Sequence, residues 1–316
     1  MMRRVIVLFV VLLAMAIGGG WALWQGVTAP YRGFAEAEIF VDLPQGSRTV
    51  DIARLLADAG VVRDPLTFRL AVRLADADRR LQAGEYRFLE AASPEQIITR
   101  LSRGDTYTRA LTFPEGLNIR DMAAIFEKSG MGTATEFVTA ANATALIADI
   151  DPDAGNLEGY LFPSTYALPR RAGAEGVVRA MVKEFRKALG TEPLPPGMTA
   201  RELVALASIV EKETAQGSER PVVAGVYANR LRIGMPLQCD PTVIYAMMLN
   251  KTWNGNIRKT DLAMDSPYNT YKYAGLPPGP IASPGKGSLD AARHPADVKY
   301  LYFVSRNDGT HVFAAT

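Results

Sequence analysis

The chain has 316 residues, of which 48% are hydrophobic and 22% are charged, so it can bury a substantial core. This composition excludes a disordered or fibrous protein, and the length allows about two domains of roughly 100–200 residues each. Thirty-five basic residues against 33 acidic ones leave a net charge of +2, and no basic block is long enough to follow a phosphate backbone. We therefore expect no nucleic-acid partner.

The N-terminus predicts a membrane anchor. Arg3 and Arg4 precede an uncharged stretch, Val5–Tyr31, whose first nineteen residues, Val5–Leu23, can cross about 30 Å of hydrocarbon as a helix. Basic residues on the N-terminal side predict that the N-terminus lies in the cytoplasm and the rest of the chain outside it. A cleaved signal peptide is the alternative, because Ala14-Met15-Ala16 resembles a cleavage site.

The elements after a short linker at Ala29–Gly33 predict a small α+β module. They are a strand from Ile39, a helix from about Ser47 to Ala59 that ends at Gly60, a helix from Pro65 to about Leu74, and a strand at Gly84–Phe88. This order resembles a LysM-like glycan-binding module. A small α+β spacer is the alternative.

Part of this pattern returns seventy residues later. Pro44, Gly46, Asp51, Ala53 and Gly60 align in turn with Pro114, Gly116, Asp121, Ala123 and Gly130. The alignment predicts one strand–turn–helix unit that is used twice, with Asn118 as the N-cap of the second helix.

The remaining chain predicts helices, one long loop and a terminal hairpin. Helices are expected at Gly173–Leu189, at Ala200–Thr214, and from about Glu219 to Leu231 with Ser218 as the cap and Gly234 as the stop. Ser266–Gly287 is rich in proline and glycine, which is typical of the irregular loops that line sites. Asn307-Asp308-Gly309 lies between two apolar runs and predicts the hairpin.

The segment Arg201–Thr214 has the period of an amphipathic helix, with an apolar stripe at Leu203, Leu206, Ala207 and Val210. Glu211 and Glu213 fall at opposite borders of that stripe, and Lys212 faces outward. A carboxyl group at such a border is partly desolvated, which suits a general acid near neutral pH. The pattern alone does not choose between the two glutamates, and a solvated or salt-bridged role is the alternative for each.

Few groups are available for metal or thiol chemistry. Cys239 is the single cysteine, so a zinc site would have to draw on only His294 and His311. A site of carboxylates alone stays open but has no support in the sequence. Cys239 is interpreted as a small packing residue and not as the thiol of a Cys-His pair. We expect no metal and no cofactor.

Several motifs surround the two glutamates. They are Leu206-Ala-Ser-Ile-Val-Glu-Lys-Glu-Thr214, Val226-Tyr-Ala-Asn-Arg-Leu231, Leu237-Gln-Cys-Asp-Pro-Thr242 with Tyr245, Ser266-Pro-Tyr-Asn-Thr-Tyr271, Gly275-Leu-Pro-Pro-Gly-Pro-Ile281 and Leu157-Glu-Gly-Tyr-Leu-Phe-Pro163. In combination they closely resemble the YceG-like family of endolytic murein transglycosylases, often called MltG. The anchor and the LysM-like module also match the layout of that family.

The resemblance implies an α+β protein in three parts. Residues 1–31 would be a cytoplasmic N-terminus and transmembrane helix, residues 36–105 the LysM-like module, and residues 106–316 a mixed α/β catalytic domain. It implies a single-pass protein of the bacterial inner membrane with a periplasmic catalytic domain. Its partners would be peptidoglycan glycan strands and, as candidates, peptidoglycan synthases.

The resemblance also implies the reaction and its acid. The enzyme would cleave the MurNAc–GlcNAc bond of nascent strands, leave 1,6-anhydro-MurNAc ends and terminate strand elongation. The acid would be the first glutamate of the Val-Glu-Lys-Glu-Thr motif, Glu211, acting first as acid and then as base. Relatives tend to carry a hydroxyl residue where this chain has Cys239, so we expect a weaker hydrogen bond from that position.

Six residues are candidate substrate contacts, with loop capping or core packing as their alternative roles. They are Gln238, Asp240, Thr242, Tyr245, Asn269 and Tyr271. Two other functions stay open. One is a muramidase that activates water, with Asp240 as a second carboxylate, and the other is a non-catalytic glycan-binding scaffold of the cell-wall synthesis machinery.

Overall fold

A computed structural model describes the backbone of residues 2–316 and the side chains of residues 11–316. The chain divides into two compact units, Met1–Arg109 and Ala110–Thr316, and each has its own hydrophobic core. Both units mix helices with short strands, which confirms the α+β class. The assignment of the units to a LysM-like module and a catalytic domain stays a prediction.

The N-terminal unit contains four helices and two strands. They are α1 (Met2–Thr28), β1 (Ile39–Leu43), α2 (Thr49–Asp58), α3 (Pro65–Leu74), β2 (Gly84–Phe88) and α4 (Pro94–Arg103). The predicted strand–helix–helix–strand order is confirmed, and β1 pairs antiparallel with β2 in the register Val41↔Tyr86. Helix α4 is additional: its capping box of Ser93 and Gln96 is a start signal that the sequence contains.

Helix α1 is apolar, and its residues from Val11 to Trp24 are exposed. Its segment Val11–Thr28 is long and apolar enough to cross a membrane, a test that a signal sequence also passes. Arg3, Arg4 and the start of the predicted span at Val5 lie outside the residues whose side chains are described.

The segment Ala29–Gly33, expected to be a linker, is hydrogen-bonded to the rest of the N-terminal unit. The Tyr31 and Ala92 backbones exchange two hydrogen bonds of 3.1 and 3.3 Å, and the Gly33 N–H donates to the Gly60 carbonyl at 2.8 Å. Val27, still within α1, packs on the core of the N-terminal unit. Helix α1 therefore runs directly into the folded part of the N-terminal unit.

The C-terminal unit contains seven α-helices among its described residues, together with four short strands. They are β3 (Arg109–Thr112), α5 (Ile119–Lys128), α6 (Ala134–Ala140), β4 (Thr165–Leu168), α7 (Gly173–Leu189), α8 (Ala200–Glu213), α9 (Arg220–Arg232), α10 (Asp240–Leu249), α11 (Lys286–Arg293), β5 (Tyr302–Ser305) and β6 (His311–Ala314). Strand β3 pairs with β4, and β5 with β6 forms the predicted hairpin.

The predicted repeat is confirmed, because β1–α2 and β3–α5 start at positions seventy residues apart. Gly46 and Gly116 adopt the same left-handed backbone, with φ of +81° and +75°. Asn118 caps α5 by accepting hydrogen bonds from two backbone N–H groups at 2.9 and 3.0 Å. The same turn, with a left-handed glycine, therefore precedes a helix in each unit.

Two predictions about helix ends and loops need correction, and three helices are additional to those expected. Glu219, not Ser218, is the N-cap residue of α9, and its side chain makes no capping hydrogen bond. The irregular loop ends at Gly285, because Lys286 already belongs to α11. Helices α6, α10 and α11 were not predicted: α10 is almost uniformly apolar, and α11 follows directly on the proline-rich loop.

Candidate active site

Helix α8 runs through the core of the C-terminal unit. Thr199 and Glu202 form a capping box at its start, and residues 203–210 are all buried. The amphipathic stripe predicted for this helix is therefore only part of its buried surface. The proline-rich loop covers the other side, where the Ile281 N–H donates to Ser208 Oγ at 3.0 Å.

Glu211 leaves α8 on the side of that loop. Arg220 Nη2 donates to Glu211 Oε1 at 3.0 Å, and the Gly285 N–H donates to Glu211 Oε2 at 2.9 Å. The same Arg220 nitrogen reaches Glu115 at 3.2 Å. The Glu211 side chain is only 6% exposed. Both neighbours are donors aimed at a carboxylate, so Glu211 joins α8, α9 and the end of the loop as an ion pair.

The Glu213 side chain projects from the last turn of α8 in a different direction from that of Glu211. No cation is within hydrogen-bond distance of the Glu213 side chain among the described residues. The hydroxyl of Tyr227, which is buried on α9, donates to Glu213 Oε1 at 2.9 Å. Burial raises the pKa of Glu213, although hydrogen bonds from Cys239 and Tyr227 oppose that rise. The charge of Asp240 raises this pKa further. Glu213 is therefore the glutamate whose surroundings favour the protonated form.

A small cavity of about 230 Å³ opens at Glu213. Its lining comprises Glu213, Tyr227, Arg230, Leu237, Gln238, Asp240, Tyr271, Phe303, Ser305 and His311. Glu211 is not among these residues. Four larger cavities among the described residues are lined by other segments, and none of these four includes either glutamate of the motif.

Three of the six candidate substrate contacts line this cavity. Gln238 has a φ of +51°, in the left-handed region that a residue with a side chain seldom adopts, and such positions cluster at functional sites. The Tyr271 hydroxyl donates to Asp240 Oδ1 at 2.6 Å. Burial, and then this hydrogen bond, raise the pKa of Tyr271, so it remains a donor.

The other three candidate substrate contacts, Thr242, Tyr245 and Asn269, lie away from the cavity and form hydrogen bonds within the fold. Thr242 is fully buried and hydrogen-bonds the Cys239 carbonyl at 2.7 Å. Tyr245 donates to the buried Glu158 at 3.1 Å, and the Asn269 amide donates to two loop carbonyls at 2.8 and 3.0 Å. These contacts agree with the alternative roles of the three residues, which are core packing and loop capping.

Cys239 lies next to the cavity as a buried thiol. Its side chain is fully buried, and burial raises the pKa of the thiol well above the usual value. The thiol is hydrogen-bonded to Glu213. A protonated, enclosed thiol is a poor nucleophile, which supports the packing interpretation.

Sequence reasoning did not select His311 or Glu219 as part of a site. His311 lines the cavity from β6, while its Nδ1 lies 2.6 Å from Glu219 Oε2 and its backbone N–H donates to Glu219 Oε1 at 3.0 Å. The His311 hydrogen bond is the main cause that lowers the pKa of Glu219. This contact fixes the ring and leaves Nε2 as the nitrogen available to a ligand.

The arrangement is suited to acid–base chemistry by a carboxyl group. Among the described residues, no group of three His, Cys, Asp or Glu side chains is close enough to hold a metal ion. A half-enclosed glutamate with a raised pKa, at a cavity lined by an amide, a carboxylate, a phenol and an imidazole, is typical of an enzyme site.

The chain belongs to the YceG-like family, whose sequence model matches residues 41–316. It is 31% identical to the endolytic murein transglycosylase of Bacillus subtilis strain 168, over 96% of this chain and 88% of that protein. It is 29% identical to the endolytic murein transglycosylase of Streptococcus pneumoniae strain D39, again over 96% of this chain. This chain spans 61% of the length of that pneumococcal relative.

A solved structure has a similar fold. The 2.6 Å crystal structure of a YceG-like protein from Listeria monocytogenes matches 89% of this chain and 96% of its own, with 30% sequence identity. The TM-score is 0.57. The family assignment thus rests on sequence and on fold together.

Proposed function

We propose that this protein is a lytic transglycosylase that cleaves the glycan strands of peptidoglycan. Two relatives that align with 96% of the chain are named endolytic murein transglycosylases. The observation that carries the proposal is Glu213 in the lining of a polar cavity with a pKa raised by burial, because this reaction needs one carboxyl group that starts protonated.

Glu213 is our choice for the acid, although the resemblance points to Glu211. A general acid must hold a proton that it can give, and Glu213 lies where burial favours the protonated form. Glu211 instead forms an ion pair with Arg220 and accepts from a backbone N–H, and it does not line the cavity. Glu211 remains the rival assignment.

The reaction then proceeds with a single carboxyl group. Glu213 gives its proton to the glycosidic oxygen as the bond between that oxygen and C1 of the muramyl residue breaks. The resulting carboxylate takes the proton from the C6 hydroxyl of the same sugar, and the C6 oxygen bonds to C1. No water enters, and the product carries a 1,6-anhydro end.

The neighbours of Glu213 support both halves of this cycle. Tyr227 and the Cys239 thiol donate to its carboxylate and stabilise the ionised form that exists between the two proton transfers. Gln238, in the same lining, offers an amide donor to the sugar, and the Tyr271 ring offers a flat apolar face. His311, held by Glu219, offers a further polar group.

Asp240 is the observation that favours a second candidate, a muramidase. It lines the same cavity as Glu213, so it is available as the second carboxylate that activates water. Against this role, Asp240 already accepts a hydrogen bond of 2.6 Å from Tyr271.

The proposal extends to location. We infer that α1 is a single membrane span, with the N-terminus in the cytoplasm and residues 106–316 as a periplasmic catalytic domain. Residues 36–105 would be a LysM-like module that contacts the same glycan. The apolar, exposed segment Val11–Thr28 supports the span, and the substrate lies outside the cytoplasm.

The test is a digestion of purified sacculi followed by mass spectrometry of the soluble products. We expect muropeptides with 1,6-anhydro-muramyl ends, lighter by one water than the products of hydrolysis. Reducing muramic acid as the main end would establish the muramidase. The absence of any soluble product would leave the glycan-binding scaffold, and release of disaccharides alone would contradict cutting within strands.

A further inference from the structure

Helix α3 presents an exposed apolar surface beside the anchor helix. Leu66, Leu70 and Leu74 are 72%, 39% and 71% exposed, and their spacing of four residues puts them on one side of α3. We call these three side chains the leucine face. The opposite side of α3, with Phe68, Ala71 and Val72, packs into the core of the N-terminal unit.

The leucine face adjoins the contact between α3 and α1. A Cβ atom on Gly26 would lie 2.8 Å from Thr67 Cγ2, so the two helices touch at this pair. At about 100° per residue, Thr67 and Leu74 are close neighbours around α3. The apolar surface therefore continues from the exposed side of α1 onto α3.

Charges occupy the other border of the leucine face. Arg69 and Arg73 are both exposed, and neither forms an ion pair with a carboxylate among the residues whose side chains are described. On the helical wheel they lie next to Leu66, on the side away from Thr67. An apolar face bordered by arginines is typical of helices that lie in the interface of an anionic membrane.

The point at which α3 contacts α1 lies at the level expected for the membrane interface. Gly26 lies three residues beyond Leu23, where the span predicted from Val5 ends, which is about 4.5 Å along a helix. It lies two residues before Thr28, where the described apolar segment ends, so it is near the outer end of either span. The headgroup region extends roughly 5 to 7 Å beyond the hydrocarbon on each side of a bilayer. Because α1 continues unbroken to Thr28 and Tyr31 is tied to Ala92, the chain has no free linker that could lift α3 away.

We propose that the leucine face of α3 docks on the outer surface of the membrane that α1 crosses, with Arg69 and Arg73 at anionic lipid headgroups. The leucines then enter the boundary between headgroups and acyl chains beside the anchor. This rests on the membrane span in the proposed function. It adds a second contact, which fixes the orientation of the N-terminal unit relative to the bilayer.

The test places an environment-sensitive thiol label, bimane, on the full-length protein in vesicles of phosphatidylethanolamine and phosphatidylglycerol. Labelled positions are Leu70→Cys, Leu13→Cys in the middle of α1, and Leu249→Cys as a control of similar exposure outside the module. Leu70 and Leu249 are 39% and 42% exposed. Cys239 is fully buried, and labelling of the unsubstituted protein measures its background.

We expect brominated acyl chains to quench the labels at Leu13 and Leu70, and aqueous iodide to quench the label at Leu249. Reversal of the charges by Arg69→Glu with Arg73→Glu should lower lipid quenching at Leu70 and leave Leu13 unchanged. A Leu70 label that iodide reaches overturns the proposal. One that neither quencher reaches also overturns it, because protein then covers the face.

The label at Leu13 separates this inference from the proposed function. Lipid quenching at Leu13 without quenching at Leu70 means that the anchor is correct and the docking surface is wrong. Loss of lipid quenching at both positions means that α1 does not span the membrane, and the inference fails together with the anchor.

Discussion

The last turn of α8 places two glutamates in two different environments. Glu211 contacts Arg220 and the Gly285 N–H, whereas Glu213 contacts the hydroxyl of Tyr227 and a buried thiol. Both side chains are largely removed from water, so burial alone does not separate them. The difference lies in the neighbours: Glu211 is held in an ion pair with Arg220, whereas Glu213, whose pKa burial raises, accepts from the neutral hydroxyl of Tyr227.

The largest expected effect comes from exchanging the acid for an amide. Glu213→Gln keeps the shape of the side chain and has no proton to give, so cleavage of sacculi should fall by about 10²- to 10⁴-fold. Glu211→Gln is the matched control and should retain most of the activity, because the amide oxygen can still accept from Gly285. Soluble anhydro-muropeptides measure both. The reverse result would make Glu211 the acid, as the family resemblance implies.

Removing the cation tests the ion-paired side of α8. Arg220→Gln leaves Glu211 enclosed without its charge partner, and we expect a loss of roughly 3 kcal/mol in the free energy of unfolding. Addition of Glu211→Gln to that variant should restore part of the loss, because it removes the unpaired charge. Thermal unfolding of the full-length protein in detergent measures both variants. Equal stability of Arg220→Gln and the unchanged protein would show that the pair is not needed.

A third buried glutamate extends the comparison. Glu158 accepts hydrogen bonds from the Ile119 N–H and from Tyr245 without a cation, and burial raises its pKa from 4.5 to about 7. The folded protein therefore keeps a proton that the unfolded chain releases above pH 4.5. Stability falls as the pH rises from 4.5 to 7, by up to roughly 3 kcal/mol.

The variant Glu158→Gln should remove this dependence. Its amide can accept from Ile119 and donate to the Tyr245 oxygen, so the fold is retained. Unfolding measured across pH 4.5 to 7 should show a smaller decline in the variant than in the unchanged protein. An unchanged slope would mean that Glu158 is ionised in the folded state.

The smallest effect is expected at the thiol beside Glu213. Cys239→Ser replaces one buried donor by a stronger one, so activity should be retained or should rise slightly. Cleavage assays and expression level measure the outcome. Complete loss of cleavage with normal expression would contradict the packing role and reopen a role for the thiol in the reaction.

Local signals in the sequence predict much of the scaffold. The bounds of α3, β2 and α7 match those expected, because each has a start signal, a clear period or a glycine stop. The helix α10 escapes the same reasoning, since an almost uniformly apolar segment has no period to detect.

The candidate active site is harder to predict from local sequence signals. A helical wheel correctly separates Glu211 from Glu213, yet what faces each depends on Arg220, Cys239 and Gly285, which other elements supply. The pairing of His311 with Glu219 joins residues 92 positions apart. Contacts at that separation leave no local pattern in the sequence, and neither do the contacts that Thr242, Tyr245 and Asn269 make away from the cavity.

The spread of the cavity lining along the chain bears on when activity can begin. Glu213 comes from α8 and His311 from β6, almost a hundred residues later. Contacts between distant segments form late, and a chain folds from its N-terminus as it emerges during synthesis. A polypeptide tethered through α1, as proposed, would be held at the membrane before its cavity is complete. An enzyme that folds in this order is already attached to the membrane when it first becomes able to cleave glycan strands.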